Sequence, residues 1–174
     1  MRRVLLACAS ALLMASCGGT EHTVASAPYP TDSGPGGAGS VELSIRGVNA
    51  QSFGSVSLRI ERVSVIIDGI AASVATRETA LELASGTPMA AASFSLPESA
   101  STVHVAISVA SAGDWKGAAG SGPIDARGLP ISFDATATTV LRRGTVRIDL
   151  DVGTSLQPAG DSSMVLLPNS AIFF

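Results

Sequence analysis

The stretch Val56-Ser57-Leu58-Arg59-Ile60-Glu61-Arg62-Val63-Ser64-Val65-Ile66-Ile67 decides the fold. Val56, Leu58 and Ile60 alternate with polar residues, which is the period of a half-buried strand and not of a helix. Val63, Val65 and Ile67 continue the alternation in the opposite phase. A one-residue slip would turn the apolar set to solvent, so the chain must absorb it in a β-bulge or bend near Glu61-Arg62.

The same alternation extends in both directions. Upstream, Val41, Leu43 and Ile45 alternate with Glu42, Ser44 and Arg46. Downstream, strands are expected at Leu81-Leu83, at Val103, Val105, Ile107 and Val109, and at Leu129, Ile131 and Phe133. Val146, Ile148, Leu150 and Val152 form the clearest pattern of all. Val165 and Leu167 precede Pro168, and Ile172–Phe174 close the sequence. Turn residues punctuate these runs at Asn49, Asp68-Gly69, Gly86-Thr87-Pro88, Gly113-Asp114 and Gly160-Asp161. No segment of ten or more residues shows a strong helical period, and alanine dilutes the pattern over 70–83. Many short strands separated by turns predict an all-β fold, an antiparallel β-sandwich of prealbumin or immunoglobulin type, as a single domain over 41–174.

The residues before that domain have a different composition. Met1-Arg2-Arg3 precedes an apolar run from Val4 to Ala15. A basic start followed by a short apolar run is a secretory signal. At roughly 12 residues it is too short to span the hydrocarbon of a bilayer as a helix. It ends in Met14-Ala15-Ser16-Cys17, which resembles the lipobox of bacterial lipoproteins: a large apolar residue, two small ones and the cysteine whose thiol accepts the lipid. Met14 stands where that motif usually has leucine. The resemblance implies cleavage after residue 16, lipidation of Cys17 and anchorage in a membrane. A rival cut after Ala25-Ser26-Ala27 would place Pro28 next to the scissile bond, where the ring disfavours processing. Cys8 as the acceptor would leave almost no apolar run. Gly18, following the cysteine, resembles an outer-membrane sorting signal, so the expected location is the cell envelope, at the outer membrane.

Residues 17–40 contain Gly, Ser, Pro, Thr and Ala with little to bury, and are expected to be a disordered tether. A coil of that length reaches roughly 25 Å. His22 and Tyr29 fall inside it and read as incidental.

Charge and cysteine content exclude several functions. Removing Arg2 and Arg3 from the 11 basic residues, against 14 acidic ones, leaves a mature charge of about −5. No cluster of Lys or Arg is available to neutralise phosphates, which argues against nucleic acid as a partner. Arg142-Arg143 reads as a surface pair beside a turn. Of the two cysteines, Cys8 leaves with the signal and Cys17 carries the lipid, so no disulfide is expected.

The strand order carries a second resemblance. It runs from Gly39-Ser40-Val41-Glu42-Leu43-Ser44-Ile45, through the long stretch quoted first, to Gly144-Thr145-Val146-Arg147-Ile148-Asp149-Leu150-Asp151-Val152 and a closing Leu166-Leu167-Pro168-Asn169. This resembles an uncharacterised family of bacterial lipoprotein domains with a prealbumin-like sandwich. Members often carry Asp-Ala-Pro after the first strand, where this chain has Gly47-Val48-Asn49-Ala50. The resemblance implies a fold and an anchor, and no activity.

Candidate chemistry is sparse. His104 is the one histidine of the domain and sits at the outward phase of its strand. No nucleophile elbow is present, and Gly36-Gly37-Ala38-Gly39 lacks the Lys and following helix of a phosphate loop. Asp149 and Asp151, two apart on a strand, share its outward face with Arg147. They suit a surface ladder with Arg59 or Arg62 of a neighbouring strand, or a Ca²⁺ site completed by loop oxygens. Asp114-Trp115-Lys116 reads as an exposed loop, able to stack on a glycan or hold an envelope protein, unless Trp115 folds back over the sandwich. The sequence thus predicts a lipid-anchored, non-enzymatic binding or structural module without a cofactor. A hydrolase working through the outward carboxylates is the alternative.

Overall fold

The computed structural model describes residues 38–174, and they form an all-β sandwich. The signal segment, Cys17, His22, Tyr29 and all but the last residues of the expected tether lie outside the described residues. Strand β1 (Ala38–Val48) takes in Ala38, Gly39 and Ser40, which composition alone assigned to the tether. It is followed by β2 (Phe53–Ile67) and by the short strands β3 (Ile70–Ala71), β4 (Val74–Thr76) and β5 (Ala80–Glu82). Then come β6 (Met89–Pro97), β7 (Thr102–Val109), β8 (Gly113–Gly117), β9 (Gly120–Asp125) and β10 (Ile131–Thr136). A two-turn helix α1 (Ala137–Arg143), strand β11 (Thr145–Asp151) and the single turn α2 (Val152–Ser155) precede β12 (Leu156–Gly160), β13 (Ser163–Leu166) and β14 (Ser170–Phe173).

One sheet has the order β14-β11-β1-β6-β4. The other runs β10-β7-β2-β8-β9-β13-β12, with β3 and β5 added along β2. Most pairings are antiparallel, but β1–β11 and β9–β13 are parallel, so both sheets are mixed. Val41, Leu43 and Ile45 of β1 and Val146, Ile148 and Leu150 of β11 point inward from the first sheet. They share one core with Val56, Leu58, Ile60, Val63 and Val65 of β2 and the four valine and isoleucine positions of β7.

The phase slip of β2 is present where expected. Its register against β7 shifts between Ile60 and Arg62, and Glu61 and Arg62 are both exposed. Before the bulge β2 pairs with β8 and β5; after it, with β7 and β3. A bulge sharpens the local twist. Here it also allows one strand to serve two sets of neighbours.

Several details differ from the sequence reading. The ambiguous region 70–83 contains three short strands and a 3-10 turn at Leu83–Ser85. Leu129 is exposed and β10 begins at Ile131. Val165 and Leu166 are both buried and Leu167 is turned out, so the alternation breaks there. Helix α1 was hidden because Thr and Val weaken helical propensity and only Ala137 and Val140 are buried. It stops at Gly144, whose φ of 67° closes the helix by donating its N–H to the Val140 carbonyl.

Strand directions define two ends of the sandwich. β1 enters at Ala38, which pairs with Pro97 where β6 finishes. That entry end also holds the β2–β3 turn and α1. β1 leaves at Val48, opposite Asp151 of β11, at the far end, where β2 starts.

Candidate functional site

Asp149 lies on the outer face of the first sheet, yet it is only 5% exposed. The parallel register sets it directly opposite Arg46. The Arg46 guanidinium donates Nε to Oδ1 at 2.8 Å and Nη2 to Oδ2 at 2.7 Å, a bidentate fork. From the same strand Arg147 Nε donates to Oδ1 at 2.9 Å. The Arg46 hydrogen bonds, opposed by desolvation and aided by Arg147, hold the Asp149 carboxyl below its ordinary range. Arg147 also lies over the Phe173 ring, 4.7 Å from its centroid.

Of the expected ladder, Asp149 alone is paired with arginine, and its cross-strand partner is a different one. Arg59 and Arg62 belong to β2, in the other sheet; Arg46 takes their place. Strand alternation shows which face a residue occupies but not which strand lies beside it.

Asp151 sits at the far end and caps α2. Its Oδ1 accepts the Thr154 backbone N–H at 3.0 Å, and its Oδ2 accepts Asn49 Nδ2 at 2.6 Å. The Asn49 bond and then the Thr154 N–H keep its pKa below the ordinary carboxylate value. Asn49 has φ 54°, a left-handed conformation that Asn tolerates better than most residues. Asn169 completes the cluster: its Nδ2 donates to Thr154 Oγ1, and its carbonyl accepts the Asp151 N–H. The two aspartates are thus occupied separately, one by arginines and one by a cap. Among the described residues no group of three or more His, Cys, Asp or Glu side chains is placed to hold a metal. Two guanidiniums beside Asp149 also oppose a cation, so the arrangement gives the calcium expectation no support.

Around the Asn49–Ser52 loop the surface is grooved. One shallow groove of about 310 Å³ is lined by Asn49, Asp149, Asp151, Asn169, Ala171 and Phe173. Phe173 offers an apolar edge there and is 45% exposed. A second groove, about 420 Å³, runs between Gln51, Phe53 and Lys116.

Asp114-Trp115-Lys116 is not a loop. It is the middle of β8, with Asp114 and Lys116 exposed and Trp115 turned the other way into the core, 7% exposed. Trp115 packs edge-on against Phe53, with centroids 6.2 Å apart, and donates Nε1–H to the Ser162 carbonyl at 3.1 Å. The expected stacking platform is therefore corrected to a core residue. The flanking glycines resembled a turn because they allow close approach: a Cβ on Gly113 would meet the Ser57 carbonyl at 2.7 Å.

His104 lies on β7, in the second sheet, where Nδ1 is 2.8 Å from Asp134 Oδ1 of β10. It does not approach Asp149 or Asp151, which the first sheet carries. Arg142 and Arg143 are exposed on the last turn of α1, where cations suit the helix dipole. Sequence reasoning missed Arg46 as the partner of Asp149, and Asn49, Asn169 and Phe173 as members of the groove. The one available signal was the outward phase of Arg46.

No family model, curated protein or solved structure matches the chain.

Proposed function

We propose that this chain is an exported lipoprotein, anchored through Cys17 in the bacterial cell envelope at the outer membrane, whose sandwich is a non-enzymatic binding module. The anchor reading rests on the Met14-Ala15-Ser16-Cys17 motif after a short apolar run. The observation that carries the binding reading is directional. β1 begins at one end of the sandwich and delivers the Asn49–Ser52 loop, with its grooves, to the opposite end. A module tethered at its entry end would hold the grooves away from the membrane.

The ligand class that fits is an envelope glycan. Amides at Asn49 and Asn169, fixed carboxylates and the edge of Phe173 combine polar groups with an apolar surface in a shallow groove. The prealbumin-like lipoprotein family is in keeping with such a displayed module. A carboxylate-dependent hydrolase finds no support, because Asp149 and Asp151 are each held by separate donors and His104 is on the other sheet.

Two measurements test the reading. Cys17→Ala should lose fatty-acid labelling and move from the membrane to the soluble fraction; retention in the membrane would refute the anchor. Soluble peptidoglycan fragments or lipopolysaccharide core oligosaccharide should raise the melting temperature of the wild-type protein. Asn169→Ala should abolish that rise. The absence of any rise with the wild-type protein would refute the glycan assignment.

A further inference from the structure

The entry end differs in chemistry from the grooved far end. Ile70, in the tight β2–β3 hairpin, is the most exposed large apolar side chain among the described residues, at 74%. With Ile67, Ala71, Pro97 and Ala100 it borders an apolar depression of about 340 Å³. The turn residue Asp68 does not leave its charge unpartnered at the tip. Its carboxylate accepts the backbone N–H of Thr102 at 2.7 Å and of Ser101 at 3.1 Å, and the Thr102 hydroxyl at 3.0 Å. Helix α1 starts at this end, its first N–H bonding the Ser101 carbonyl, and carries Arg142 and Arg143 on its last turn, just before Gly144, whose carbonyl accepts the Glu42 N–H of β1. Glu98 is exposed in the neighbouring turn, where it can remain in water.

We propose that this end of the sandwich rests on the bilayer, with Ile70 entering the interface between headgroups and acyl chains. The proposal depends on the Cys17 anchor and adds an orientation to it. Its first support is the place where the chain enters: Ala38 pairs with Pro97, a residue that borders the depression, and only residues 18–37 separate Ala38 from Cys17. The second is the combination of an exposed aliphatic tip at this end with two arginines, on the helix that starts there, that suit lipid phosphates. An anchor that short makes the contact effectively intramolecular, so a single inserted side chain suffices to bias orientation.

The test uses the lipidated chain in vesicles of phosphatidylethanolamine and phosphatidylglycerol. The mature protein has no other thiol once Cys17 is acylated, so a nitroxide can be placed at Ile70→Cys or, as a control, at Leu129→Cys. Leu129 is also an exposed apolar residue, but it precedes β10 and lies away from the entry end. The expected result is a several-fold rise in the ratio of oxygen to aqueous nickel-chelate collisions at position 70 on vesicle binding, with no change at 129. Arg142→Glu combined with Arg143→Glu should reduce the rise at 70. Co-flotation with equal ratios at 70 and 129 overturns the contact and leaves the anchor standing. Failure to co-float, with no acyl mass on Cys17, overturns both.

Discussion

The two ends of the sandwich handle charge and apolar surface in opposite ways. At the far end, polar side chains are tied down: Arg46 and Arg147 hold Asp149, and Asn49 and Thr154 hold Asp151. Phe53, the first residue of β2, packs edge-on against Trp115, whose indole N–H is held by the Ser162 carbonyl. At the entry end, Ile70 is left in solvent on a hairpin whose Asp68 carboxylate is taken up by the Ser101 and Thr102 N–H groups. Fixed polar groups give a groove a defined shape before a ligand arrives, which lowers the ordering cost of binding. An aliphatic tip in water contributes little to folding, so its substitution should cost little stability.

If that contrast is right, substitutions at the far end should cost stability and those at the entry end should not. The largest effect is expected from Trp115→Ala. It removes a buried ring, its edge contact with Phe53 and a hydrogen bond to Ser162, for a loss of about 3–5 kcal/mol in urea unfolding. The wild-type fluorescence checks the same point independently. Trp115 is the sole tryptophan, so a blue-shifted emission resistant to acrylamide is expected, and strong quenching would restore the exposed-loop reading.

Asp149→Ala comes next. It leaves two guanidiniums facing each other, and their partial exposure reduces the penalty of a fully buried broken pair to about 2 kcal/mol. Acid should act through the same residue. The Asp149 pKa is lower in the folded protein than in the unfolded chain, so its stabilising contribution is complete above the unfolded value of about 4. The contribution is lost as pH falls through the lower folded value. Asp149→Asn should therefore flatten the acid side of the stability–pH curve. An unchanged slope would mean the arginine fork does not hold in solution.

The entry end provides the contrast. Ile70→Ser should leave unfolding unchanged within about 0.5 kcal/mol, as is usual for an exposed site. His104→Gln is expected to cost no more than about 0.5 kcal/mol, because its pairing with Asp134 is solvent-exposed. A loss of 2 kcal/mol or more at either position would erase the difference between the ends.

The sequence by itself determined the all-β class, the inward set Val41, Leu43, Ile45, Val146, Ile148 and Leu150, and the bulge at Glu61-Arg62. Each follows from the two-residue period of a strand, a local property of consecutive residues. The Cys17 motif is equally local. Only the tertiary structure decided that Asp149 belongs to Arg46, about a hundred residues away, and that β1 and β11 run parallel. Strand neighbours are set by long-range packing, which alternation does not encode. Tertiary structure likewise turned Trp115 inward: glycines that allow a turn also allow close strand approach, and the Ser57 and Ser162 carbonyls chose between them.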